Sequence, residues 1–129
     1  MSFVTKHVAE ECDVIAPDGS EIRLLPILSA GSMVHVTLRP NQISLAITHK
    51  TVEEIWYVLS GKGEMWRKDG DDETITTLEP GCSLTIPLGT HFQFRNFLSD
   101  PLKLILITMP PWPGNDEAIS VPGHWPTED

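Results

Sequence analysis

Apolar and polar residues alternate in short runs along most of the chain, and Gly- or Pro-containing turns separate the runs. A period of two puts successive side chains on opposite faces of a strand. Eleven prolines and nine glycines fall mostly between these runs, as in an all-β domain. The turn Ala16–Ser20 leads into a strand over Glu21–Leu28, and Met33–Leu38 follows, stopped by Arg39-Pro40-Asn41. Gln42–Thr48 alternates and reads as a strand. Glu54–Leu59 and Gly63–Arg67 flank Ser60-Gly61-Lys62, a hairpin turn. Further strands are expected over Glu73–Leu78, Cys82–Ile86, Phe92–Asn96 and Leu102–Met109. Helical periodicity is weak, and a short turn near Val8–Asp13 is its best candidate. About eight short strands with turns between them predict a closed or double-sheet barrel, wide enough to hold one small ligand.

The whole chain reads as one domain, with a barrel over about 21–109 and a Pro-rich tail over 110–129. Trp112 and Trp125 lie in that tail, where exposure is unfavourable, so the tail is expected to fold back on the barrel. The acidic turn Asp69–Glu73 reads as a solvated loop tip. Nine basic residues stand against eighteen acidic ones, a formal charge of −9. That balance disfavours nucleic acid and anionic membrane surfaces as partners. No apolar run approaches the roughly 20 residues of a spanning helix. Met1–Asp13 lacks the apolar core of a signal peptide, and Cys12 and Cys82 read as reduced thiols. The expectation is a cytoplasmic protein.

Two segments resemble the paired motifs of the cupin superfamily, small jelly-roll barrels. The first motif has the form G-x5-H-x-H-x(3,4)-E-x6-G. Here His49, Glu54 and Gly61 keep its spacing, Ile47 occupies the first His position and Asn41 the opening Gly. The second has the form G-x5-P-x-G-x2-H-x3-N. Gly81, Pro87, Gly89 and Asn96 fit it, Phe92 occupies the His position, and His91 stands one residue early. The resemblance covers about Met33 to Met109. It implies an all-β fold, an antiparallel double-stranded β-helix or jelly roll. It leaves function open, because one fold carries many functions.

In metal-dependent cupins the two motifs supply three His and one carboxylate to Fe, Mn, Ni, Cu or Zn. Strand parity turns Ile47 and His49 inward, together with Glu54, Trp56 and Val58. Two readings follow. In one, Ile47 and Phe92 make a mostly apolar, metal-free pocket with two polar groups, and the ligand-binding residues are Ile47, His49, Glu54, Trp56, Phe92 and Gln93. In the other, a one-residue slip at Gly89–His91 turns His91 and Gln93 inward. His49, Glu54 and His91 would then hold a divalent transition metal in a dioxygenase or isomerase of a small polar substrate. A slip reverses every side chain, so the readings exclude each other. A third reading is a structural, dimer-forming module whose pocket is filled by side chains. His49 and Glu54 are expected to interact, the carboxylate raising the imidazole pKa. His35 reads as structural, and His7 and His124 carry no assignment. Apolar residues on Phe3–Val8 and Glu21–Leu28 suggest that these strands extend a partner's sheet in a two-fold homodimer.

Overall fold

Residues 53–60 set the pattern: in the sequence EEIWYVLS, Glu54, Trp56 and Val58 are buried while Glu53, Ile55 and Tyr57 are exposed. One face of such a strand must therefore be covered. The computed structural model describes residues 2–127. Eleven strands account for nearly half of them: β1 (Val14–Ile15), β2 (Glu21–Ile27), β3 (Ser32–Leu38), β4 (Ile47–His49), β5 (Glu53–Ser60), β6 (Gly63–Asp69), β7 (Asp72–Leu78), β8 (Ser83–Ile86), β9 (His91–Arg95), β10 (Leu102–Met109) and β11 (Ala118–Ser120). The only helix among the described residues is a single 3-10 turn, Asn115–Glu117. No described helix is long and apolar enough to cross a membrane.

The strands form two antiparallel sheets, ordered β1-β2-β3-β10-β5-β8 and β11-β4-β9-β6-β7. Their inner faces meet in one core that includes Val36, Leu38, Trp56, Val58, Met65, Phe92, Phe94 and Leu104. This is an all-β jelly-roll barrel. Burying one large apolar side chain contributes about 1.5–3 kcal/mol, so the alternation selects strand register as well as strand formation. Gly61 shows how tightly the turns are held. Its φ is +88°, and a Cβ there would lie 2.4 Å from the Pro101 carbonyl oxygen, so only Gly fits.

Three expected elements differ. Only Ile47–His49 of the segment Gln42–Thr48 lies in a ladder, with one isolated bridge from Ile43 to Arg95. The intervening N–H groups are divided between two partners: Ser44 donates to the Phe94 carbonyl and Leu45 to the Asp18 carbonyl, both at 2.9 Å. Phe3–Val8 is not a strand, because Val14–Ile15 already pairs with β2 and occupies the edge that an N-terminal strand needs. No helix forms at Val8–Asp13. Instead the Arg23 guanidinium accepts this stretch as an extended cover, donating to the Ala9 and Glu10 carbonyls at 2.8 and 2.7 Å.

The tail folds back on the barrel and adds β11 to β4 through the pairs Ala118 with His49 and Ser120 with Ile47. Gln93 anchors its end. The side-chain oxygen accepts from the His124 and Trp125 N–H groups, and the amide nitrogen donates to the Ser44 and Trp125 carbonyls. Both cysteines are free thiols.

Candidate functional site

The pairing of Ile47 with Phe92 across β4 and β9 fixes which side chains enter the barrel. Inward from β4 come Ile47 and His49, from β5 come Glu54 and Trp56, and from β9 comes Phe92. All five line one cavity of about 110 Å³. The turn before β2 adds Asp18 and Ser20, and the tail adds Trp112 and Asn115. The remaining wall is largely aliphatic, with Val34, Val36 and Leu106. Edge-on aromatic contacts close it: His49 lies 5.3 Å from the Phe92 ring and 5.2 Å from the Trp112 ring, centre to centre.

Glu54 is 5% exposed, and its Oε1 accepts a hydrogen bond from Trp56 Nε1 at 3.0 Å. Burial pushes its pKa up to about 8; the Trp56 bond opposes the rise, while the charges of Asp18 and Glu117 add to it. Asp18 is also buried, with one carboxylate oxygen accepting from the Ser20 backbone and hydroxyl at 3.0 and 2.7 Å. Burial raises its pKa too, and the Ser20 bonds offset only part of the rise. The cavity therefore contains two carboxyl groups that resist ionisation.

His49 behaves differently from the expectation. Burial lowers its pKa, and the carboxylate of Glu117 and the Val52 backbone recover only part of that. The acidic neighbour acting on it is Glu117, not Glu54, and no hydrogen bond joins His49 to Glu54. The reason is local: Glu54 is occupied by Trp56, and β11 brings the tail against β4. Glu117 accepts from Thr51 N, Thr51 Oγ1 and Val52 N at 2.6, 2.7 and 2.9 Å, pinning the turn between His49 and β5. Burial pulls the Glu117 pKa upward, but these bonds and His49 outweigh it and hold the group below its ordinary range. His49 Nδ1 is buried without a partner.

Gln93 and His91 lie elsewhere. Gln93 points to the outer face of β9, where it holds the tail, because Phe92 and Phe94 take the inward parity. His91 is half-buried and lines an outer groove with Trp66, Lys68, Glu73 and His124. The one-residue slip is thus absent, and the set His49, Glu54, His91 does not assemble. Among the described residues no three His, Cys, Asp or Glu side chains converge to hold a metal. Two of the four family ligand positions, Ile47 and Phe92, present hydrocarbon, which binds no cation. The residues do not fit a resident metal.

Asp18, Glu117 and Trp112 escaped the sequence reading as site residues. Asp18 stands in a Pro-Asp-Gly stretch that signals only a turn. Glu117 and Trp112 lie in the tail, whose return onto β4 no local pattern encodes.

The cupin domain family profile matches residues 34–108, more than half of the chain. The chain is a cupin. An uncharacterized protein of Methanocaldococcus jannaschii is 32% identical over 123 residues, spanning 88% of this cupin and 95% of its relative. Among solved structures, Streptomyces PAC13 with uridine superposes with a TM-score of 0.70 at 14% identity, covering 92% of both chains. The Drosophila melanogaster CENP-C cupin domain gives a TM-score of 0.65 at 18% identity, covering 75% of this cupin and 72% of that domain. At these identities the two structures share the cupin's fold alone.

Proposed function

We propose that this cupin binds one compact, partly apolar small molecule in the barrel cavity, anchored by Glu54 and His49 and walled by Ile47, Trp56, Phe92 and Trp112. The observation that carries the reading is that buried Glu54 and His49 meet in a largely apolar cavity, with Asp18 beside them. A buried carboxyl and a buried imidazole nitrogen without a partner cost stability, about 1–3 kcal/mol for an unsatisfied group. Perturbed titratable groups that converge in a cavity are the usual signature of a binding site. The size is also suitable: an apolar cavity of about 150 Å³ takes benzene, so this one suits about four or five non-hydrogen atoms. A fold-level neighbour described with uridine supports the idea that such a barrel accepts an organic guest. The test is native mass spectrometry and thermal shift of the purified protein against a small-fragment set, alongside Glu54→Gln and His49→Ala. A hit whose stabilisation both substitutions abolish supports the reading. A set of hits indifferent to both refutes it.

We also infer that the protein pairs with a second copy through the outer face of the larger sheet rather than by extending a partner's sheet with Phe3–Val8 or Glu21–Leu28, since Phe3–Val8 is not a strand and β2 is paired on both edges. Met33 pairs with Ile107 and Ile107 with Ile55, while Ile105 pairs with Tyr57, so these residues form a contiguous apolar surface. Met33, Ile55, Tyr57 and Leu59 are exposed on it. Contiguous exposed apolar surface of this kind marks interfaces. Sedimentation should give a dimer mass, reduced to monomer by Tyr57→Glu; a monomer mass for the unmodified chain refutes the inference.

A further inference from the structure

We propose that the guest of the barrel cavity is a small organic cation, an alkylammonium group seated between the carboxyls of Glu54 and Asp18 and the aromatic side chains of Trp56, Phe92 and Trp112. The proposal rests on the reading of the cavity as a ligand site and adds the charge of the ligand. No Lys or Arg is among the described residues that line the cavity, whereas two acidic residues are. An anionic guest would meet two carboxyl groups and no counter-charge. A neutral guest could hydrogen-bond to the carboxyls but would gain no ion pair with them. A cation ion-pairs with the carboxylate and is also attracted by the negative faces of aromatic rings, as in the cages that recognise ammonium groups.

The second, independent observation is His49. It is 6% exposed and lines the same cavity. A neutral imidazole carries one acceptor nitrogen, which matches a ligand that brings N–H donors. The groups facing Glu54 are Asp18, Glu117 and Trp56, and none supplies the positive charge that a guest would. At long range the protein's formal charge of −9 draws cations and repels anions before they reach the barrel.

The test uses three probes of nearly one shape on the full chain, in titration calorimetry at pH 8: isobutylamine, isobutanol and isobutyrate. The amine is expected to bind at least tenfold more tightly than the alcohol, and the carboxylate not to bind. Glu54→Gln should remove the advantage of the amine over the alcohol. Trp112→Leu, which keeps the apolar wall and removes the ring, should reduce that advantage about fivefold. Equal binding of amine and alcohol overturns the proposal and leaves the cavity reading standing. Binding of none of the three overturns both. An amine advantage that survives both substitutions also overturns the proposal, because the charge would then be read elsewhere.

Discussion

Replacing Glu54 by Gln tests the central electrostatic feature of the barrel. The amide keeps the shape and an oxygen to accept the Trp56 Nε1–H, and it removes the ionisable group. In the folded protein the Glu54 pKa is pushed from 4.5 up to about 8. Between those values the native state holds a proton that the unfolded chain has released. Stability therefore falls as pH rises, at up to about 1.4 kcal/mol per pH unit. The contribution is full below pH 4.5 and has gone above pH 8, a swing of about 5 kcal/mol at the upper limit for this shift.

Urea unfolding of both proteins from pH 5 to pH 9 measures the effect. The stability of Glu54→Gln relative to wild type should climb by several kcal/mol up to about pH 8 and level off beyond it. Asp18, also raised, contributes with the same sign in both proteins and largely cancels in the difference. His49 acts in the opposite sense: its pKa is lowered, so its contribution is present at high pH and fades as the imidazole charges on acidification. It too is common to both. Two stability curves that run parallel from pH 5 to pH 9 would refute the reasoning, since Glu54 would then ionise as freely in the barrel as in water.

Gln93→Ala should release the tail: it removes four hydrogen bonds that join β9 to Ser44, His124 and Trp125, costs about 2–4 kcal/mol, and should be read as faster amide exchange at His124 and Trp125. Glu117→Gln should destabilise the protein at neutral pH, with the difference from wild type shrinking as pH falls through the carboxylate range, because the Glu117 pKa is held low in the folded state. Denaturant unfolding at pH 7 and at pH 4 checks the sign. Gly61→Ala should be among the most disruptive single changes, costing more than about 2 kcal/mol, since it adds both a strained φ and a collision with the Pro101 carbonyl; thermal unfolding measures it.

Much of the barrel was legible because strand periodicity and turn chemistry are local. Glu54, Trp56 and Val58 share a face by parity alone, and Gly61 marks the hairpin that follows. The positions of Ile47 and Phe92 in the motif spacing likewise place both on the inner surface. What stayed hidden was non-local. Asp18 reaches the cavity only because its turn lies over the barrel mouth, where its carbonyl accepts Leu45 N. Glu117 meets Thr51 and Val52 across more than sixty residues of sequence, with |i−j| values of 66 and 65. The strand expected over Gln42–Thr48 failed for a related reason. Alternation tells which residues want cover, and says nothing of whether both neighbouring edges are free to pair.

The motif residues divide by the work they do in this cupin. Gly61 permits a turn that a Cβ would block. Asn96, 1% exposed, donates to the Leu38 and Asp100 carbonyls and accepts from Leu98 N, tying the end of β9 to β3 and to the turn before β10. These residues hold the barrel whatever it contains, so their spacing reports fold. The inward positions report chemistry. Ile47 and Phe92, paired across β4 and β9, put hydrocarbon at two sites that resemblance assigns to metal ligands, and the Phe92 ring packs against His49 and Trp56. Glu54 is left in apolar surroundings, which raise its pKa where a metal ion would have lowered it. With hydrocarbon at those two positions the remaining carboxyl is a buried acid that resists ionisation. That property links the departures from the motif to the cation proposed as the guest.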